Sequence, residues 1–212
     1  MKLIVKMLPA ALAIAGLVTI GSNAASAQDV YKVNYFANNT HAAPAATVRI
    51  DNPGLTYGNL CAFIYVYAAD QQLAECCGCV ETHNGLRTLS VKKDLTSNTL
   101  TREPLPTGVI KIVSGAVNDA PCDPTANVKP TANLRVWVTH IQNVVGTAYP
   151  ETETESSDST LGATELANLQ AQCAFVNVLG SGQGICSCGG SLSASHWRLD
   201  RTERRLPPLK RS

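Results

Sequence analysis

The sequence predicts a mainly β fold, a disulfide-stapled antiparallel β-sandwich with one C-terminal α-helix. Three observations carry this expectation. Short segments with period-two or doubly apolar patterning recur along residues 30–142, eight cysteines lie beyond an apolar leader, and a single stripe with helical spacing follows residue 160. With 212 residues, 45% of them hydrophobic, the chain is long enough to bury a continuous core without a metal.

The elements follow in order. Lys2 and Lys6 precede an apolar run from Met7 to Ile20, and Ala25-Ser26-Ala27 places small residues at −3 and −1 of a cleavage site, so residues 1–27 are expected to be a signal peptide. The run is shorter than the roughly 20 residues of a bilayer span, and no second apolar stretch appears, so no transmembrane segment is expected in the mature chain. Val30 to Phe36 alternates, with Tyr31, Val33 and Tyr35 on one face and Lys32 and Asn34 on the other. The Ala/Pro stretch that follows, ending at residue 45, is expected to be a linker. Ala46, Val48 and Ile50 alternate with polar residues up to the turn Asn52-Pro53-Gly54.

Leu60 to Ala68 is apolar on both faces, as a strand covered on both sides must be. Gln71 to Val80 reads as a strand, Asn84-Gly85 as a tight turn ahead of a strand at Arg87 to Val91, and Leu100 to Glu103 as an edge strand closed by Pro104 and Pro106. Val109 to Ser114 and Leu134 to Gln142 are further strands, joined by a Pro-rich loop carrying Cys122. Gly162 fits an N-cap, Glu165 sits at N3, and Leu161 can pack on Leu166. Leu166, Leu169, Cys173 and Val176 then form one buried stripe, with Gly180 at the stop. The sandwich and helix are thus assigned to residues 46–196, and residues 197–212 to a basic, disordered tail.

Cys61, Cys76, Cys77, Cys79, Cys122, Cys173, Cys186 and Cys188 are even in number, and in an oxidising compartment they are expected to be structural disulfides. Spacing does not choose among the 105 pairings. Adjacent Cys76 and Cys77 should reach different partners, Cys173 on the helical stripe would fasten the helix to the sheets, and a local staple from Cys173 to Cys186 or Cys188 is also open. Val80 stands where haem attachment at Cys76-Cys77-Gly78-Cys79 would need His. Thiol redox chemistry and a zinc or iron–sulfur site fit less well, because Val80 to Gly85 reads as a strand end and turn and because C-x-C departs from knuckle spacing. No cofactor is expected.

Charge narrows the function classes. The formal net charge is +1, falling to −1 once residues 1–27 and their two lysines are removed, so nucleic acid is not an expected partner. The tail carries +4, which suits contact with an anionic surface polymer, and residues 28–196 carry −5. Glu151, Glu153, Glu155 and Asp158 offer hard oxygen ligands and are candidates for Ca²⁺, although a solvated loop accounts for them as well. His41, His83, His140 and His196 show no metal-ligand spacing, and His140 reads as an inward or rim histidine. No G-x-S-x-G elbow occurs, and Gly180 to Gly184 follows a helix and lacks the lysine of a phosphate loop. Trp137 is the one platform for a sugar ring, set against the commoner reading of a core tryptophan.

The stretch Leu60 to Thr101, with L-C-A-F-I-Y-V-Y-A-A-D-Q-Q-L-A-E-C-C-G-C-V and L-T-S-N-T-L-T, together with E-L-A-N-L-Q and G-I-C-S-C, resembles a group of uncharacterised secreted acidobacterial-type proteins. The resemblance covers most of residues 46–188 and implies secretion and shared cysteines, with no activity and no functional residue attached.

Two functional classes follow. The first is a secreted, non-enzymatic structural or surface protein, an extracellular fibre subunit that assembles with copies of itself by donating the N-terminal strand through Tyr31, Val33 and Tyr35. The second is a secreted hydrolase or ligand-binding module with a site in the sandwich loops, using Asp119, Asp123, Glu151, Glu153 and His140.

Overall fold

The computed structural model describes residues 30–38, 44–55, 58–117, 122–141, 148–178 and 182–189; the leader, the basic tail, His41, Asp119, Gly180 and His196 lie outside these residues. The strands are β1 (Tyr31–Ala37), β2 (Thr47–Asp51), β3 (Leu60–Ala68), β4 (Leu73–Glu81), β5 (Leu86–Ser90), β6 (Thr107–Ala116), β7 (Arg135–Ile141), β8 (Glu151–Glu155) and β9 (Ser157–Asp158), followed by helix α1 (Ala163–Val178). They form two sheets, a five-stranded one in the order β4-β3-β6-β1-β9 and a four-stranded one in the order β5-β2-β7-β8, with every ladder antiparallel.

β3 shows why the architecture has three layers. Its even residues Leu60, Ala62, Ile64 and Val66 enter the core between the sheets, against Val48, Ile50, Leu89, Ile112, Val136 and Val138. Its odd residues Cys61, Phe63 and Tyr65 enter a second cluster on the outer face, with Tyr31, Val113, Leu169, Cys173 and Val176. Helix α1 and the segment around Cys122 and Val128 cover that face, so a strand that is apolar on both sides finds an apolar partner on both. Each of the larger side chains contributes roughly 1.5–3 kcal/mol through this burial.

The helix forms where its stripe predicts. Leu169, Cys173 and Val176 are buried, Leu161 and Leu166 pack at the margin of the same cluster, and the Leu166 amide donates to the Gly162 carbonyl at 3.0 Å. Glu165 does not close a capping box. Its Oε1 instead accepts from the Tyr31 hydroxyl at 2.9 Å and from Lys111 Nζ at 2.7 Å, tying the first turn to β1 and β6.

Several local expectations are corrected. Leu100 to Glu103 is not a strand: Arg102 has φ of 61°, its amide closes a turn onto the Thr99 carbonyl at 3.1 Å, and Pro104 and Pro106 supply no amide donors for a ladder. The acidic run is not a solvated loop, because Glu151 to Glu155 pairs with β7 as an edge strand. Alternating threonines suit the pleat, and the glutamates discourage a further strand from docking on this edge. The chain then changes sheets at Ser156, whose amide donates to Val136 at 2.8 Å, and β9 pairs with β1. Asn84-Gly85 does make a tight turn, with Asn84 at φ 56°, but β4 and β5 belong to different sheets, so it is a corner and not a ladder hairpin. Val91–Leu95 forms a π-turn that the pattern did not suggest, with Val91 and Leu95 buried and Ser90 accepting from the Lys93 amide.

Candidate functional site

The sulfur chemistry is concentrated along β4. Cys76 joins Cys173 of α1, Cys77 joins Cys186, Cys79 joins Cys188, and Cys61 joins Cys122, leaving no cysteine free. Cys76 and Cys77 therefore point to opposite sides of the strand, one to the helix and one to the inter-sheet core. The local staple from Cys173 to Cys186 or Cys188 does not form, because the helical stripe aims Cys173 at β4 and not at the C-terminal segment. That segment runs parallel to β4: the Cys76 amide donates to Gly184 at 2.9 Å, the Cys186 amide to Cys76 at 3.3 Å, and the two following bridges share a separation of 109 residues. An open sheet edge is thereby covered by covalently fastened backbone.

The sulfurs of Cys77, Cys79 and Cys188 lie within 4.8 Å of one another, but all three are committed to disulfides and none offers a thiolate. Gly78, between two bridged cysteines, allows the closest backbone approach: a Cβ there would stand 1.9 Å from the Cys122 carbonyl oxygen. Gly78→Ala is expected to lower stability by at least about 2 kcal/mol, through overpacking against backbone that the Cys61–Cys122 bridge holds in place, with urea unfolding as the measurement.

Two acids share the inward side of β4 with Cys77 and Cys79. Glu81 is met by Arg87 Nε at 2.6 Å; burial raises its pKa and the guanidinium partly offsets this. Glu75 is fully buried, with no cation beside it among the described residues. Its Oε1 accepts from the Asn98 amide at 2.8 Å, its Oε2 has no partner, and burial pushes its pKa up to about 8. Glu75 is absent from the candidates that spacing and motifs single out, yet its parity with Cys77 and Cys79 in an apolar strand is a legible sign of an inward carboxylate.

The loop-site residues do not converge. Glu153 receives Arg49 Nη1 at 2.7 and 2.8 Å, Glu155 receives Arg135 Nη2 at 2.9 Å, and Asp158 holds the buried Lys32. The Ca²⁺ candidates thus lie along an edge strand and its continuation, with these three facing basic side chains and Glu151 exposed. Asp123 caps its own turn through the Thr125 amide at 2.8 Å, next to the Tyr65–Pro124 contact on the opposite side of the molecule from Glu153. His140 is buried, bonds Thr154 through Nε2 at 2.8 Å and stacks on Tyr35 at 4.0 Å; desolvation lowers its pKa, keeping it neutral. It is a corner post between β7 and β1. On the other face of β1, Lys32 is buried against Asp158, and half-buried Asn34 reaches Thr154 and Ser156.

Trp137 is not a core tryptophan. It lies on the outward face of the four-stranded sheet, cross-strand from Arg49 and Glu155, with the Arg135 guanidinium 4.8 Å from its ring. Arg49, Asp51, Leu86, Trp137 and Glu153 line a shallow concavity of about 420 Å³. No family model, curated protein or solved structure matches the chain.

Proposed function

We propose that this is an exported, non-enzymatic structural or surface protein whose copies assemble by exchange of β1. The leader motif and four disulfides closing spans of 61 to 109 residues support a product built for oxidising surroundings outside the cell. Among the described residues, no helix is long and apolar enough to cross a membrane. The basic tail supports an additional contact with an anionic surface polymer.

The observation that carries the exchange reading is the position of β1. It is the first strand among the described residues, followed in the chain by residues 38–46 before β2, and it lies between β6, with which it pairs along seven residues, and the two-residue β9. It supplies Phe36 to the inner core and Tyr31 to the outer cluster. Within one chain β1 completes its own sheet; the β1 of a neighbour, in the same register, would make the same ladder and fill the same two clusters. Phe36→Asp should abolish assembly by excluding the strand from the core. Sedimentation and electron microscopy of the exported chain at high concentration test this: filaments or ladders lost in the variant support the reading, and a strictly monomeric wild type removes it.

A further inference from the structure

We propose that the outward face of the four-stranded sheet is a binding site for a neutral pyranose unit of an extracellular polysaccharide, centred on Trp137. The five-stranded sheet has its outer face closed by α1 and by the segment around Cys122, whereas among the described residues no element packs on this one. Its side chains form cross-strand rows, Leu86-Asp51-Arg135 followed by Thr88-Arg49-Trp137-Glu155.

The concavity combines what a sugar ring needs. Trp137 offers an aromatic wall for the C–H face of the ring. Arg49 is held in place by Glu153 through Nη1 alone, so its remaining N–H groups are free to donate, and the Asp51 carboxylate, without a partner among the described residues, is free to accept. Vicinal hydroxyls both donate and accept, and a fixed guanidinium beside an unengaged carboxylate matches them.

Charge selects among ligand classes. Arg49 and Arg135 stand against Asp51, Glu151, Glu153 and Glu155, a net of −2 that disfavours a polyanion. A cationic ligand is disfavoured too, because the guanidinium groups of Arg135, 4.8 Å from the ring, and of Arg49, on the wall of the concavity, would repel it; Arg135 itself does not line the concavity. A neutral, hydroxylated ring remains. The site is on the sheet face, away from the loops where sequence reasoning placed a ligand.

Native affinity electrophoresis of the full exported chain tests this in gels containing hydroxyethyl cellulose, laminarin or galactomannan, with alginate as the acidic control and a basic peptide, oligolysine, as a soluble competitor. Retardation by at least one neutral polysaccharide is expected, weakened about tenfold or more in Trp137→Ala, corresponding to roughly 1.4 kcal/mol. Asp51→Asn, an exposed-face change that leaves the packing intact, should weaken it in the same direction. Phe175→Ala, on the far side of the molecule, should not. Circular dichroism checks that each variant is folded, and Asp51→Asn decides the matter if Trp137→Ala is not. The proposal is overturned by no retardation in any neutral gel, by retardation that survives Asp51→Asn and folded Trp137→Ala unchanged, by retardation in alginate alone, or by neutral-gel binding that oligolysine displaces.

Discussion

Replacing Cys76 and Cys173 together by alanine should lower the unfolding free energy by about 4 kcal/mol, the largest effect expected of any single contact in the outer layer. The bridge closes a span of 97 residues, and a cross-link over that length removes on the order of 4–5 kcal/mol of conformational entropy from the unfolded chain. Changing both cysteines avoids leaving one thiol next to the Cys77–Cys186 bridge, where exchange would confuse the result. The loss should be local as well as global. Without the bridge, α1 keeps Leu169, Val176 and the Glu165 contacts to Tyr31 and Lys111, so it should remain docked but open more often. Urea unfolding gives the free energy, and hydrogen exchange should show reduced protection concentrated in residues 163–178. A change below about 1 kcal/mol would mean that packing, and not the cross-link, holds the helix.

The second large effect belongs to Glu75. Its folded pKa, about 8, lies above the ordinary carboxyl value of 4.5, so the folded state holds the proton more tightly than the unfolded state does. The sign follows: the stability tied to this proton is full below about pH 4.5, falls as the pH rises towards 8, and stays lost above it. A shift of that size corresponds to something on the order of 5 kcal/mol. Glu75→Gln retains an acceptor for the Asn98 amide and cannot ionise. The variant should therefore show a much flatter stability profile between pH 4.5 and 8, and at pH 9 it should be the more stable of the two proteins. Glu81, whose pKa burial also raises, contributes in the same direction in both proteins and drops out of the difference. Parallel profiles for the two would show that Oε2 is solvated and that Glu75 is ionised at neutral pH.

Much of the fold was legible because its causes are local. The alternation of Ala46 to Asp51, the doubly apolar Leu60 to Ala68 and the stripe from Leu166 to Val176 each record which sides of an element meet other protein, and the structure buries those sides. Cys173 was expected to fasten the helix because its place in the stripe fixes its direction. Elements without an apolar signature were misread. Glu-Thr-Glu-Thr-Glu looks like a solvated loop until Arg49 and Arg135, 104 and 20 residues from their partners along the chain, provide the charges opposite. Trp137 looked like a core residue because a strand's alternation does not say which of its faces another layer will cover.

By itself, then, the order of residues determined the strand-rich architecture, the single helix and the commitment of the cysteines to bridges, since periodicity and turn chemistry act over a few residues. Only the tertiary structure decided which cysteines pair, that a parallel segment seals the edge of β4, that Glu75 is buried with no cation beside it among the described residues and that Trp137 faces outward. These are relations between residues far apart in the chain. They depend on how the sheets stack and where the chain crosses between them, which no local pattern encodes.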